Sequence, residues 1–204
     1  MNLADEPANW PVVSSAELAR GRLVSVRTDQ VRMPDDEPAE RDVVIHPGAV
    51  AVLALDDAGR VLLIRQYRHP VRRLLWEIPA GLRDVTGEPP WATARRELLE
   101  EAGYRARDWR VLVDYYSSPG FSTERLRIFL ARDLEFVPEA ERDFVPEDEE
   151  TELVSAWLPL EEAVRKVLAG ELHNGVAALA VMAGYAARSG GFDRLRPADA
   201  PEEQ

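Results

Sequence analysis

The chain reads as an α/β protein, with a mixed sheet sandwiched between helices and a small N-terminal antiparallel β subdomain. Three observations predict this. The element signals run as strands, then a helix, then more strands and two more helices, an order that suits a sheet covered on both faces. The stretch GAVAVLAL at 48–55 is nearly all apolar, as expected of a strand with no solvent-facing side. The 204 residues, 46% of them hydrophobic, suffice for one good core with a small appended subdomain. The divisions expected are an N-terminal arm and β-ribbon over 1–46, a main domain over 47–190 and a disordered tail over 191–204.

Taken in order, residues 1–18 are polar and acidic without a strong period and are expected as a loose arm. Over 20–33, Leu23, Val24, Val26 and Val31 follow the alternation of a β-ribbon. Residues 34–40, PDDEPAE, form a turn or loop, and 41–46 a short strand. After the apolar strand, Asp56, Asp57, Ala58 and Gly59 make a hairpin turn into a strand over 61–67. LLWEIPA, 74–80, is the next strand. A helix opens at Pro89 and Pro90 and stops at Gly103. Strands at 109–116 and 126–131 follow, then an acidic loop over 133–152 with prolines and no helical period. A strand over 153–158 leads to a short helix at 161–168 and a longer one from Asn174, its N-cap, to Arg188.

The balance of charge excludes some partners. A formal charge of −12 and a pI near 4.8 leave no basic surface for nucleic acid. With no cysteine, disulfides, thiolate zinc sites and thiol nucleophiles are ruled out. The first ten residues lack the basic-then-apolar pattern of a signal peptide, and the most apolar stretch, 175–187, is too short to span a bilayer. A cytoplasmic protein that does not engage membranes is the expectation. Such an acidic surface also repels small anions, so an anionic substrate needs local positive charge from arginines or bound cations.

The chemistry is concentrated in residues 81–104, GLRDVTGEPPWATARRELLEEAGY. On a helix advancing about 100° per residue, Glu97, Glu100 and Glu101 share one face, while Leu98, Leu99 and Ala102 fall opposite. Like charges at these spacings repel by a few tenths of a kcal/mol per pair, and no lysine is interspersed to relieve them. A solvated acidic helix accounts for ELLEE by itself. A site for a hard divalent cation, Mg²⁺ or Mn²⁺, accounts for it as well.

The surrounding residues decide between these. Gly81, Glu88, Arg96, Glu97, Glu100, Glu101 and Gly103 fill every fixed position of a pattern, and on them the chain resembles the Nudix hydrolase family. Two departures are visible. Six residues, 82–87, separate Gly81 from Glu88 where the family has five, and Tyr104 stands where an aliphatic residue is preferred. The extra residue lies before the helix and leaves the carboxylate spacing untouched. Trp76, Glu77, Ile78, Pro79 and Ala80 match the family's lead-in to the first glycine. Gln66, Tyr67 and Arg68, and Pro119 fifteen residues past Tyr104, are similar to features of its ADP-ribose-cleaving members.

The resemblance implies a Nudix-type α/β/α sandwich and Mg²⁺-dependent hydrolysis of ADP-ribose to AMP and ribose 5-phosphate. It implies that Glu97, Glu101 and the Ala80 carbonyl hold the cation, with Glu100 a further ligand or its support. Arg96 pairs with box carboxylates such as Glu88. The acidic loop supplies the residue that activates water, with Glu150 the first candidate and Glu149 the second. On the substrate side it points to Arg68, whose guanidinium fork matches a diphosphate, and to Pro119, Gly120 and Glu124, while Glu77 has two equal readings, a contact to the substrate base or a structural role. Relatives of this kind are homodimers, which brings residues 20–33 and Arg41 toward a neighbour's site. The rival readings are the same chemistry on GDP-mannose or NADH, and a non-catalytic ADP-ribose sensor. Intact carboxylates and the lack of a basic DNA-binding domain weigh against the sensor.

Overall fold

A computed structural model describes residues 3–142 and 153–202. In chain order its strands are β1 (Val12–Arg20), β2 (Ser25–Arg32), β3 (Pro38–Ile45), β4 (Ala49–Ala54), β5 (Arg60–Arg68), β6 (Arg73–Glu77) and β7 (Ala80–Leu82). Helix α1 (Pro90–Ala102) comes next, then β8 (Tyr104–Tyr116), β9 (Arg125–Phe136) and β10 (Val154–Pro159). Helices α2 (Leu160–Leu168) and α3 (Gly175–Arg188) and a short β11 (Arg196–Pro197) complete the order. No helix among the described residues is long and apolar enough to cross a membrane.

The contacts divide the described residues into two compact units. One comprises residues up to 48 with 116–125 and 201–202, the other 49–115 and 126–200. In the first, β1, β2 and β3 form an antiparallel sheet. The 116–125 segment is tied to β3: Val44 N–H donates to the Phe121 carbonyl at 2.7 Å and Thr123 N–H to that of Val44 at 3.0 Å.

The second unit is built on β4, where every residue is buried. A five-stranded sheet runs β11-β8-β9-β4-β7, with β4 parallel to β9 and antiparallel to β7, so the sheet is mixed. A second sheet, β10-β5-β6, is antiparallel. Side chains alternate along β4 with the period of two that a strand imposes. Ala51, Leu53 and Leu55 pack with Leu160 and Ala163 of α2 and Ala177, Ala180 and Val181 of α3. Val50, Val52 and Ala54 pack with Ala94 and Leu98 of α1. Helices thus cover both faces, and the α/β sandwich is the fold the sequence predicts.

Four expectations change. Residues 12–18 are not a loose arm but most of β1, and the strand escaped notice because all nine of its positions are exposed. With neither face buried it carries no alternating pattern, and its backbone ladder to β2 holds it. The run 74–80 is two strands in two sheets. Pro79 has no N–H to donate, while its carbonyl accepts from Val52 N–H at 2.8 Å, and the chain changes sheets there. The turn at 56–59 likewise joins β4 and β5 of different sheets, with only the Leu55–Val61 bridge between them. The stretch 191–202 is ordered, not a disordered tail: Phe192 and Leu195 pack on the core, β11 pairs with β8, and the Ala200 carbonyl accepts from Arg127 at 2.6 Å.

Candidate active site

Helix α1 is bounded as its residues require. Pro90 sits in the first turn, where a missing N–H costs nothing, and Gly103 adopts a left-handed φ of 72° that stops the helix. Thr93, Ala94 and Leu98 are buried on one side. That fixes the rotation of the helix and turns Glu97, Glu100 and Glu101 toward a cleft of about 290 Å³. Gln66 and Arg68 of β5, Ala80, Gly81 and Leu82 of β7, Asp84 and Arg96 complete its lining.

Arg96 organises the carboxylates. Its Nη1 lies 2.8 Å from both Glu97 Oε1 and Glu100 Oε2, and its Nη2 lies 3.7 Å from Glu88 Oε2. Thr93 Oγ1 donates to Glu88 at 2.8 Å, anchoring the loop before the helix. Burial works against the charged guanidinium, but the Glu97, Glu100 and Glu88 carboxylates outweigh it and push its pKa above the usual arginine value. Glu101 turns to β7, where Ala80 N–H donates to Oε2 at 2.8 Å.

Gly81 admits Glu97. A Cβ on residue 81 would stand 2.1 Å from Glu97 Cδ, so any side chain there would displace the carboxylate. The helix face is also less exposed than a polar stripe suggests, since the Glu97 side chain is only 12% exposed.

Among the described residues no three acidic or histidine side chains already converge as a ligand set. Arg96 draws Glu97 and Glu100 to itself and a backbone amide draws Glu101. The donors nevertheless suit a hard divalent cation: carboxylate oxygens on one helix face, in one cleft, beside a glycine that leaves room for them.

Arg68 lines the same cleft and is held from behind. Its Nε and Nη2 donate to Glu77 Oε1 and Oε2 at 2.9 and 2.7 Å, a two-pronged pair. Glu77 is 3% exposed, and both of its carboxylate oxygens take hydrogen bonds from Arg68. Arg41, Pro119, Gly120 and Glu124 belong to the other unit. Arg41 is exposed on β3 and donates to the Glu40 carbonyl at 2.8 Å. Pro119 and Gly120 are exposed in the turn after β8. Glu124 accepts from Ser117 Oγ and lies 3.7 Å from His46 Nε2. Glu149 and Glu150 lie outside the described residues. Sequence reasoning passed over Gln66 and Asp84 in the lining. Gln66 was within reach of it, because a strand places residue 66 on the same face as residue 68.

A model of the NUDIX domain matches residues 45–179. An ADP-ribose pyrophosphatase of Mycobacterium tuberculosis (strain ATCC 25618 / H37Rv) is 46% identical over 94% of this chain and 90% of its own length. An ADP-ribose pyrophosphatase of Bacillus subtilis (strain 168) is 36% identical over 83% of this chain and 89% of its own. Among solved structures, an ADP compounds hydrolase superposes with a TM-score of 0.75 over 92% of this chain and 99% of that one. At 22% identity it speaks to the fold alone.

Proposed function

The chain belongs to the NUDIX domain family, and on that premise we propose that it hydrolyses the diphosphate bond of ADP-ribose, releasing AMP and ribose 5-phosphate, with Mg²⁺ as its cation and Mn²⁺ as a substitute. The observation that carries the reading is the cleft in which Glu97, Glu100, Glu101 and Arg96 meet Arg68. A diphosphate resists water because its anionic oxygens repel an incoming nucleophile, and this cleft offers groups that answer each part of that problem.

Glu97 and Glu101, the Ala80 carbonyl and Glu100 would hold the cation. When bound it would neutralise charge on the diphosphate and make water more acidic. Arg96 keeps Glu97 and Glu100 in register and Glu88 keeps Arg96 in place, a supporting role. Arg68, fixed by Glu77, presents positive charge to the phosphate oxygens. Glu150, with Glu149 as the alternative, takes the proton of the attacking water. In the other unit, Arg41, Pro119, Gly120 and Glu124 are assigned to substrate on family likeness. A cytoplasmic homodimer formed through the N-terminal strands is part of the same reading. It is supported by the exposure of Val12, Val13 and Leu18 on β1, and light scattering checks the dimer.

Substrate profiling tests the function. With Mg²⁺ present, kcat/KM for ADP-ribose is expected to exceed that for GDP-mannose, NADH and diadenosine polyphosphates by about tenfold or more, equivalent to ~1.4 kcal/mol at the transition state. Equal rates on all four would replace ADP-ribose with a broader substrate class. No turnover of any would remove the hydrolase reading.

A further inference from the structure

Tyr104 stands where the family prefers an aliphatic residue, and it has no part in the reaction as proposed. It is the first residue of β8 and directly follows Gly103, which ends α1. Its ring meets two others. Phe136 lies 5.3 Å away between ring centroids, with the planes at 63°, and Trp157 lies 5.5 Å away at 89°. Both are edge-to-face pairs, the arrangement that the charge distribution of aromatic rings favours. An aliphatic side chain can fill the same volume but cannot make these pairs.

The two partners belong to different sheets of the same unit: Phe136 is the last residue of β9, and Trp157 is in β10. Between them the chain runs through the acidic stretch that carries Glu149 and Glu150. Tyr104 therefore touches the point where the chain leaves β9 and a point just after it enters β10. The β9 side is fastened further to the end of α1. Val137 N–H donates to the Gly103 carbonyl at 2.9 Å, and Arg142 Nε donates to the Val137 carbonyl at 2.8 Å. The Arg142 guanidinium lies 5.4 Å from the Phe136 ring centroid and close against Gly103, where a Cβ would stand 2.0 Å from Nη2. On the β10 side, Trp157 packs with Tyr104 against the cluster that holds Ala94 and Leu98 of α1.

We propose that Tyr104 is a positioning residue for the activation of water. By pairing with Phe136 and Trp157 it fixes where the stretch bearing Glu149 and Glu150 starts and ends, relative to the α1 carboxylates just before it. The inference rests on the reading in which one of those two glutamates takes the proton of the attacking water. A reacting group displaced by about 1 Å can cost on the order of 10²-fold in rate. The groups assigned to the cation and the diphosphate, Glu97, Glu101 and Arg68, lie elsewhere and are held by Arg96, Ala80 and Glu77. Loss of the Tyr104 ring should thus reach kcat and spare binding.

The test compares Tyr104→Leu with Tyr104→Phe, which keeps the ring. It reads kcat and KM on ADP-ribose with Mg²⁺, and Kd for Mn²⁺ alone by electron paramagnetic resonance. Tyr104→Leu is expected to lower kcat about tenfold, with KM and the Mn²⁺ Kd within about twofold of wild type, and Tyr104→Phe to match wild type. In a protein already carrying Glu150→Gln or Glu149→Gln, whichever lowers kcat, Tyr104→Leu should subtract little more, because its target is gone. Phe136 is 57% exposed, so Phe136→Leu removes one ring pair from a tolerant position and should lower kcat in the same sense if Tyr104→Leu does not fold. Unchanged kcat in whichever leucine variant folds overturns the proposal. So does a tenfold loss that persists in full without the glutamate, or a parallel loss of Mn²⁺ affinity, since either places the effect in α1 or in general packing. If neither glutamate variant lowers kcat, the reading of the water-activating group fails and the inference goes with it. If one does and loss of the ring pairs changes nothing, the fault lies with Tyr104 alone.

Discussion

Arg96 and Arg127 keep similar company, each among carboxylates in the same unit. Arg127 is 2% exposed and its demands are met by a matched set. Nε and Nη2 donate to the two oxygens of Asp114 at 2.7 and 3.0 Å, and Nη1 donates to the Ala200 carbonyl at 2.6 Å. Arg196 adds a second cation to Asp114 at 2.9 Å. Arg96, by contrast, is 35% exposed in its side chain and is shared by three carboxylates, Glu88, Glu97 and Glu100, at the edge of a cleft. The first assembly meets its hydrogen bonds inside the fold and fastens the C-terminal stretch to the sheet. The second concentrates negative charge where a cation can reach it. An arginine–carboxylate cluster marks structure when its donors and acceptors match inside the core, and chemistry when acidic groups outnumber the arginine beside an opening.

The sharpest way to break that distinction is to neutralise one carboxylate of the open cluster. Glu97→Gln or Glu101→Gln is expected to lower kcat by about 10²–10³-fold, or ~3–4 kcal/mol of transition-state stabilisation, with the melting temperature nearly unchanged. Near-wild-type turnover in either would strip the cluster of its proposed role. The closed cluster should respond the other way. Arg127→Met leaves a half-buried Asp114 with only Arg196 and is expected to destabilise by ~3 kcal/mol, roughly 6–12 °C for a chain of this size. The kcat of the folded fraction should not move. Gly81→Ala probes the space between sheet and helix. The added Cβ would meet the Glu97 carboxylate at 2.1 Å, and the far end of that side chain can swing aside. Stability should therefore hold while kcat falls about tenfold through a misplaced carboxylate. A variant with full activity would mean that Glu97 does not need its present position.

These two clusters also show what a sequence discloses. The open one was legible because Glu97, Glu100 and Glu101 lie within five residues of each other, so helical geometry alone puts them on one face. The pairing of Arg96 with Glu88 came from the family pattern, whereas its bonds to Glu97 and Glu100 needed side-chain positions. The closed cluster joins residues 114, 127, 196 and 200, and nothing local connects them. That is why the end of the chain reads as a loose tail. Strands divide in the same way. Strand β4 announces itself by burial on both faces, whereas β1, exposed throughout, is joined to β2 by a backbone ladder, which almost any sequence can make. The break at Pro79 was misread because LLWEIPA is apolar on both sides of the proline, and apolarity does not say to which sheet a residue belongs.

The smallest expected effect is a dependence on pH that the closed cluster should show. Burial raises the pKa of Asp114, but hydrogen bonds from Arg127 and Arg196 and their charges outweigh it, leaving the folded value below the ordinary 3.8. A carboxyl group with a depressed folded pKa binds fewer protons folded than unfolded at mildly acidic pH. Its contribution to stability is therefore complete above the ordinary value and is lost as pH falls through the folded one. One group changes the slope by at most ~1.4 kcal/mol per pH unit. Urea denaturation of the wild-type protein and of Asp114→Asn, carried from pH 7 to pH 3, should show the variant less stable at neutral pH and the gap narrowing below about pH 4. A gap that stays constant to pH 3 would mean that the destabilisation is one of shape and packing, and that the charge on Asp114 has no part in holding Arg127.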